Sequence, residues 1–144
     1  MTREEILAMQ PGREFDAMVH IAIGKQCVFI AREPSVVTFG EGPLGFTCNF
    51  GGGVFTADRE WLVDDWLDEE TNREVPHYST SIADAWAVIE EMERRNWLAD
   101  IYRSEAKWIA EFNHPRHRQS SDADTAPEGI CKAALLCLEA SRPH

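Results

Sequence analysis

The chain has 144 residues, 44% of them apolar and 27% charged, and carries a formal net charge of −11. That length suits a single domain over 1–144, able to bury roughly 70% of its unfolded surface. The charge excludes non-specific binding to nucleic acid or an anionic membrane through the bulk surface, and no apolar run is long enough to span a bilayer.

The opening stretch, MTREEILAMQPGREF, is polar throughout and reads as a short tail without a targeting segment, which places the expected location in a cytoplasm. In GREFDAMVHIAIGK, residues Phe15, Met18, Val19, Ala22 and Ile23 fall at helical spacing, and Gly24 offers a stop. The spacing predicts a first helix over 12–23. QCVFIA at 26–31 is short, apolar and largely β-branched or aromatic, the pattern of a strand. The glycine- and proline-broken stretch that follows suggests a loose meander or hairpins. Residues 57–74 are acidic with interspersed Trp61, Leu62, Trp66 and Leu67, compatible with a surface helix or an edge strand. A second helix is expected over 82–95 with Ile82, Ala85, Trp86, Ile89 and Met92 on one face. WLADIYRSEAKWIAEFNH at 97–114 reads as a hairpin, with Leu98, Ile101, Trp108 and Ala110 as candidates for burial. PRHRQSSDADTAP at 115–127 reads as a polar loop. A third helix over 126–141 directs Ile130, Ala134, Cys137 and Leu138 inward. Together these elements predict an α+β fold in which about three helices pack on a mainly antiparallel sheet.

Few motifs carry chemistry. Gly40-x-Gly42-x-x-Gly45 matches a dinucleotide fingerprint in letters, but a glycine-broken β-rich run follows it where a helix is required. Cys27, Cys48, Cys131 and Cys137 lie in apolar surroundings without a CxxC pair and read as reduced, buried thiols. His114-x-x-His117 alone is too few ligands for zinc, so no metal or cofactor is expected. The acidic run that includes Asp64 and Asp65 reads as a solvated face, or as an imitation of a phosphate backbone. No nucleophile elbow or HExxH helix is present, and the chain is expected not to be an enzyme.

Two helix starts are the remaining candidates. In PHYSTSIADAW, Ser81 reads as an N-cap and Asp84 as the acidic residue of the first turn. The amides of such a start also suit an anion, with His77, Tyr78, Ser79 and Thr80 lining it. Thr125-Ala126-Pro127-Glu128 opens the third helix with a similar signature. Arg116 and Arg118 form the dense positive cluster of an acidic chain and would draw an anionic ligand.

GREFDAMVHIAIG, VPHYSTSIADAWAVIEEM and TAPEGICKAALLCLE, in that order, resemble the signature segments of the phage ABA-sandwich domain family, and more distantly its NinX-like relatives. The resemblance spans both ends and the middle of the chain. It implies an α-β-α layered domain of bacteriophages or prophages acting in the host cytoplasm, and it transfers no catalytic residues. Ser81 stands where the family often has aspartate. The function expected is non-enzymatic binding of a small anionic, nucleotide-like ligand, with sequestration of a host immune signal as its use. In that expectation His77, Tyr78, Ser79, Thr80 and Ser81 donate, Trp86 or Trp108 stacks, and Arg116 or Arg118 neutralises charge; association of two or more copies would complete the pocket. The alternative is an acidic interaction protein that blocks a host DNA-binding or restriction enzyme. Neither reading involves direct contact with nucleic acid or a membrane.

Overall fold

The computed structural model describes residues 2–31, 47–48 and 63–141. Where the sequence suggests one domain, the contacts divide the chain into two compact units: Met1–Ile23 with Pro76–His144, and Gly24–Val75.

The larger unit is a three-stranded antiparallel sheet carrying helices. Its strands are β4 (Leu98–Ser104), β5 (Lys107–His114) and β6 (His117–Ala123), in spatial order β4-β5-β6. The smaller unit holds β1 (Cys27–Ala31), β2 (Thr47–Cys48) and β3 (Val63–Asp68), ordered β2-β1-β3, with β2 parallel and β3 antiparallel to β1. Residues 63–68 are therefore strand, which decides the ambiguity of the acidic section. The predicted meander lies outside the described residues apart from Thr47–Cys48. Among the described residues there are four helices: α1 (Arg3–Ala8), α2 (Arg13–Ala22), α3 (Ile82–Arg94) and α4 (Ala126–Ala140). None is long and apolar enough to cross a membrane.

Helix α4 is the centre of the larger unit. Residues 129–137 are buried without interruption, so the helix is enclosed on nearly all sides. Its Gly129 approaches the sheet closely enough that a Cβ there would touch Ala110 and Ala123 at 3.6 and 3.7 Å. Phe112 on the central strand is fully buried. The opening stretch is not a tail. Thr2 Oγ1 accepts from the amide of Glu5 and caps α1, whose Ile6 is buried, and the Lys132 ammonium donates to the Leu7 carbonyl at 2.9 Å. Six residues with Ile6, Leu7 and Ala8 in one consecutive run show no helical period, too weak a signal for a helix.

Three further expectations need correction. In α3 the buried stripe is Ala85, Val88, Ile89 and Met92, while Ile82 and Trp86 stay 53% and 54% exposed. Val88 rather than Trp86 completes the 3.6-residue period against α4 and β4. In the hairpin Ala110 is buried but Leu98 is 71% exposed, because it stands on the sheet face opposite Ala110 and α4. The polar loop at 115–127 is largely strand β6: HRQSSDA has no β-branched or aromatic residue, yet it pairs along its whole length with β5 and turns Ser121 and Ala123 inward.

The buried cysteines give a direct check on this core. Burial raises the Cys131 thiol well above its usual range, and pushes Cys137 up to about 12. A thiol reagent applied to the native protein at pH 8 is expected to leave both unlabelled, and to label both after guanidinium is added. Peptide mass spectrometry after a brief pulse reads the difference, and rapid native labelling at either position contradicts the packing.

Candidate functional site

The serine and tyrosine of the hydroxyl cluster belong to a buried polar network. Asp16 of α2 is fully buried, on the same helix face as Val19, His20 and Ile23. Its carboxylate accepts from the Ser79 amide at 2.7 Å, from the Ser79 hydroxyl at 2.6 Å and from the Arg13 guanidinium at 2.9 Å. The Ser79 hydroxyl in turn accepts from the Gly12 amide at 2.9 Å. One helical turn along, His20 Nδ1 shares a 2.8 Å hydrogen bond with the Tyr78 hydroxyl, both side chains being buried. The Cys131 thiol donates to the Tyr78 carbonyl at 3.2 Å. Ser79 and Tyr78 thus face α2 and α4.

The helix starts are also occupied. Ser81 Oγ accepts from the Asp84 amide, and Asp84 Oδ2 accepts from the His77 amide at 2.8 Å. Thr125 Oγ1 accepts from the Glu128 amide at 3.4 Å. An anion approaching either tip meets the first-turn carboxylate, Asp84 or Glu128. Thr80 is exposed and His77 half-buried beside the first of these caps.

The other expected residues lie apart. Trp86 stands on the outer face of α3. Trp108 is half-buried with the Arg103 guanidinium 5.8 Å from its ring centre. Arg118 pairs with the buried Glu111. Alternation along β6 sends Arg118 to the sheet face opposite His117, whereas Arg116 borders the same cavity as His117. Nor is Arg116 near the start of α4. It occupies the β5–β6 turn, and its lining neighbours are Ala140 and Ser141 at the end of that helix, which is about 22 Å long. The start of α4 is at the other end of the sheet, where Asp124 pairs with Lys107 at 2.5 Å. The expected hollow between helix starts and cationic loop is replaced by one between helix ends and cationic turn.

That cavity measures about 470 Å³. Arg95 and Trp97 enter from the end of α3, His114, Arg116 and His117 from the hairpin, and Leu138, Ala140 and Ser141 from the end of α4. His114 and His117 face each other across the Pro115-Arg116 turn, their ring centres 6.3 Å apart. The buried Trp97 ring lies 5.1 Å from His114 and 6.4 Å from His117. Arg95 is held by Glu91 at 3.2 Å, whereas the exposed Arg116 guanidinium makes no hydrogen bond or ion pair among the described residues. No group of three or more metal-ligating side chains is present among the described residues. Sequence reasoning missed Arg95 and Trp97. It noted His114 and His117 only as a spacing, because their pairing depends on β6 being a strand.

The family model described as Phage ABA sandwich domain matches residues 54–135, more than half of the chain. The middle and final signature segments lie largely inside that range, and the Asp16 segment lies outside it. A phage protein from Bacillus cereus ATCC 14579, solved at 2.0 Å, is similar in fold, with a TM-score of 0.53 and 21% identity over 92% of this chain and 90% of that one. No curated protein matches the sequence.

The Asp16 network predicts its own energetics. Asp16→Ala takes the acceptor from the buried Ser79 amide and removes one partner of Arg13, and is expected to cost about 2–4 kcal/mol in urea unfolding. Ser79→Ala is expected to cost about 1–3 kcal/mol. A loss below half a kilocalorie for Asp16→Ala contradicts a structural role for the network.

Proposed function

Because the chain belongs to the phage ABA sandwich domain family, we propose that it is a phage accessory protein that binds a small anionic, nucleotide-like ligand and does not turn it over. Sequestration of a nucleotide-derived host signal is the use this reading gives it. The observation that carries it is the Arg116 guanidinium, without a bonding partner among the described residues, beside two imidazoles at the mouth of a cavity.

Against a net charge of −11, Arg95 and Arg116 place two positive side chains at one cavity. Arg116 offers a planar fork of donors suited to phosphate or carboxylate. His114 and His117 add ring faces and N–H donors, and Leu138 and Ala140 supply an apolar wall. A cavity of about 470 Å³ is within the range of small-molecule sites. The cations also offset the negative ends of the two helix dipoles, and that role is compatible with ligand binding so long as Arg116 stays unpaired. Binding needs no more than this set, and no side chain is assigned a chemical step.

Calorimetry with pyrophosphate and a panel of nucleoside mono- and diphosphates tests the reading. Saturable binding is expected, weakening as salt rises. Arg116→Ala is expected to reduce affinity roughly ten- to hundredfold, the loss of a charge-assisted hydrogen bond. Arg103→Ala, on the strand edge beside Trp108, is expected to leave it unchanged. Absence of heat across the panel, or equal affinity in the Arg116→Ala variant, sinks the proposal.

A further inference from the structure

The sheet of the larger unit has two edge strands, and they differ. Strand β6 reads HRQSSDA and carries charge at Arg118 and Asp122, a common guard of an exposed edge. Strand β4, LADIYRS, is seven residues long and has no lysine or proline. Its register with β5 runs without a bulge from Leu98 to Ser104. The surface around it is apolar. Of the five large apolar side chains exposed among the described residues, four belong to β4 and the helix that leads into it: Leu98, Tyr102, and Ile82 and Trp86 of α3.

The hairpin turn decides which backbone groups of β4 face outward. Glu105 and Ala106, the first at a left-handed φ of 55°, join Ser104 to Lys107. In a two-residue hairpin the pair flanking the turn exchanges both hydrogen bonds, and bonded and unbonded pairs then alternate. Ala99, Ile101 and Arg103 therefore direct their N–H and C=O groups away from β5, and these make no hydrogen bond among the described residues. Such a row is a template for another strand. Charge selects this chain's own β4 for it. In a protein of net charge −11 a second copy can approach only where acids are sparse, and LADIYRS holds one acid and one base. Antiparallel pairing that uses all three outward residues centres on Ile101. It sets Ala99 against Arg103 of the second copy, and Asp100 against Tyr102 of the second copy. A shift of register one way brings Asp100 onto its own counterpart, and a shift the other way leaves Ala99 beyond the end of the partner strand. We propose that the protein forms a two-fold dimer through β4, joining two three-stranded sheets into one continuous antiparallel sheet. Such a contact covers on the order of 600 Å² per copy, the low end of specific interfaces, so a micromolar dissociation constant is expected.

Sedimentation equilibrium of the whole protein across the micromolar range tests this. The mass is expected to move from 16.3 kDa towards twice that value as concentration rises. Tyr102→Glu sets an acid against Asp100 of the second copy on both sides of the two-fold axis, and is expected to raise the dissociation constant about tenfold. Adding Asp100→Lys to that variant makes both contacts attractive and is expected to restore association, which a misfolded variant cannot do. Leu7→Glu, an equivalent change on α1, is expected to leave the dissociation constant unchanged. A monomer throughout the range overturns the proposal and leaves the edge to a different occupant. A dimer indifferent to Tyr102→Glu, a double variant that does not recover, or a Leu7→Glu variant weakened as much as Tyr102→Glu overturns it equally.

Discussion

A carboxylate removed from water needs partners, and the partners Asp16 finds organise the larger unit. The Asp16 carboxylate takes the Ser79 amide, the Ser79 hydroxyl and the Arg13 guanidinium, which together hold the 76–81 segment against α2. Tyr78 then enters the core beside His20, and its carbonyl meets the Cys131 thiol of α4. Each of the three sequence segments that carry the family resemblance thus contributes to one polar cluster. An isolated buried charge is very costly, so the cluster has little tolerance for alternatives: either all three segments come together or Asp16 must become exposed.

This constraint also fixes which polar groups are already committed to the fold. The segment before α3 has its serine and tyrosine committed inward, and its amides are claimed by Ser81 and Asp84. The opposite ends of the same helices have the reverse character. The Arg95, Ala140 and Ser141 carbonyls accept no hydrogen bond among the described residues, and the β5–β6 turn brings Arg116 and two imidazoles beside those residues. Folding chemistry occupies the helix starts, and the chemistry left over is at the helix ends.

Much of the fold could be read from residues. Helices α2, α3 and α4 follow from 3.6-residue spacing and capping residues, and β1, β4 and β5 from short β-branched or aromatic runs. What escaped detection has physical causes. Strand β6 is built of His, Arg, Gln, Ser and Asp, so its extended state comes from pairing with β5 and from the small Ser121 and Ala123 beneath α4, neither of which is a local signal. Helical spacing places Trp86 on the apolar face, but burial of a helical residue depends on which arc faces the neighbours, and Val88 holds that arc. The candidate site was half legible. Arg116 was singled out by charge contrast alone. Its companions Arg95 and Trp97 lie some twenty positions earlier in the chain, and only the return of α3 beside the hairpin brings them near.

The separation of the two clusters along α4 has an evolutionary reading. Cys131 belongs to the polar cluster and Ser141 to the cavity wall, ten residues and about 15 Å apart on a straight helix. Substitutions so far apart, with no shared partners, add nearly independently. The Pro115-Arg116 turn is therefore open to drift: substitutions there reshape the hollow while the polar cluster goes on assembling as before.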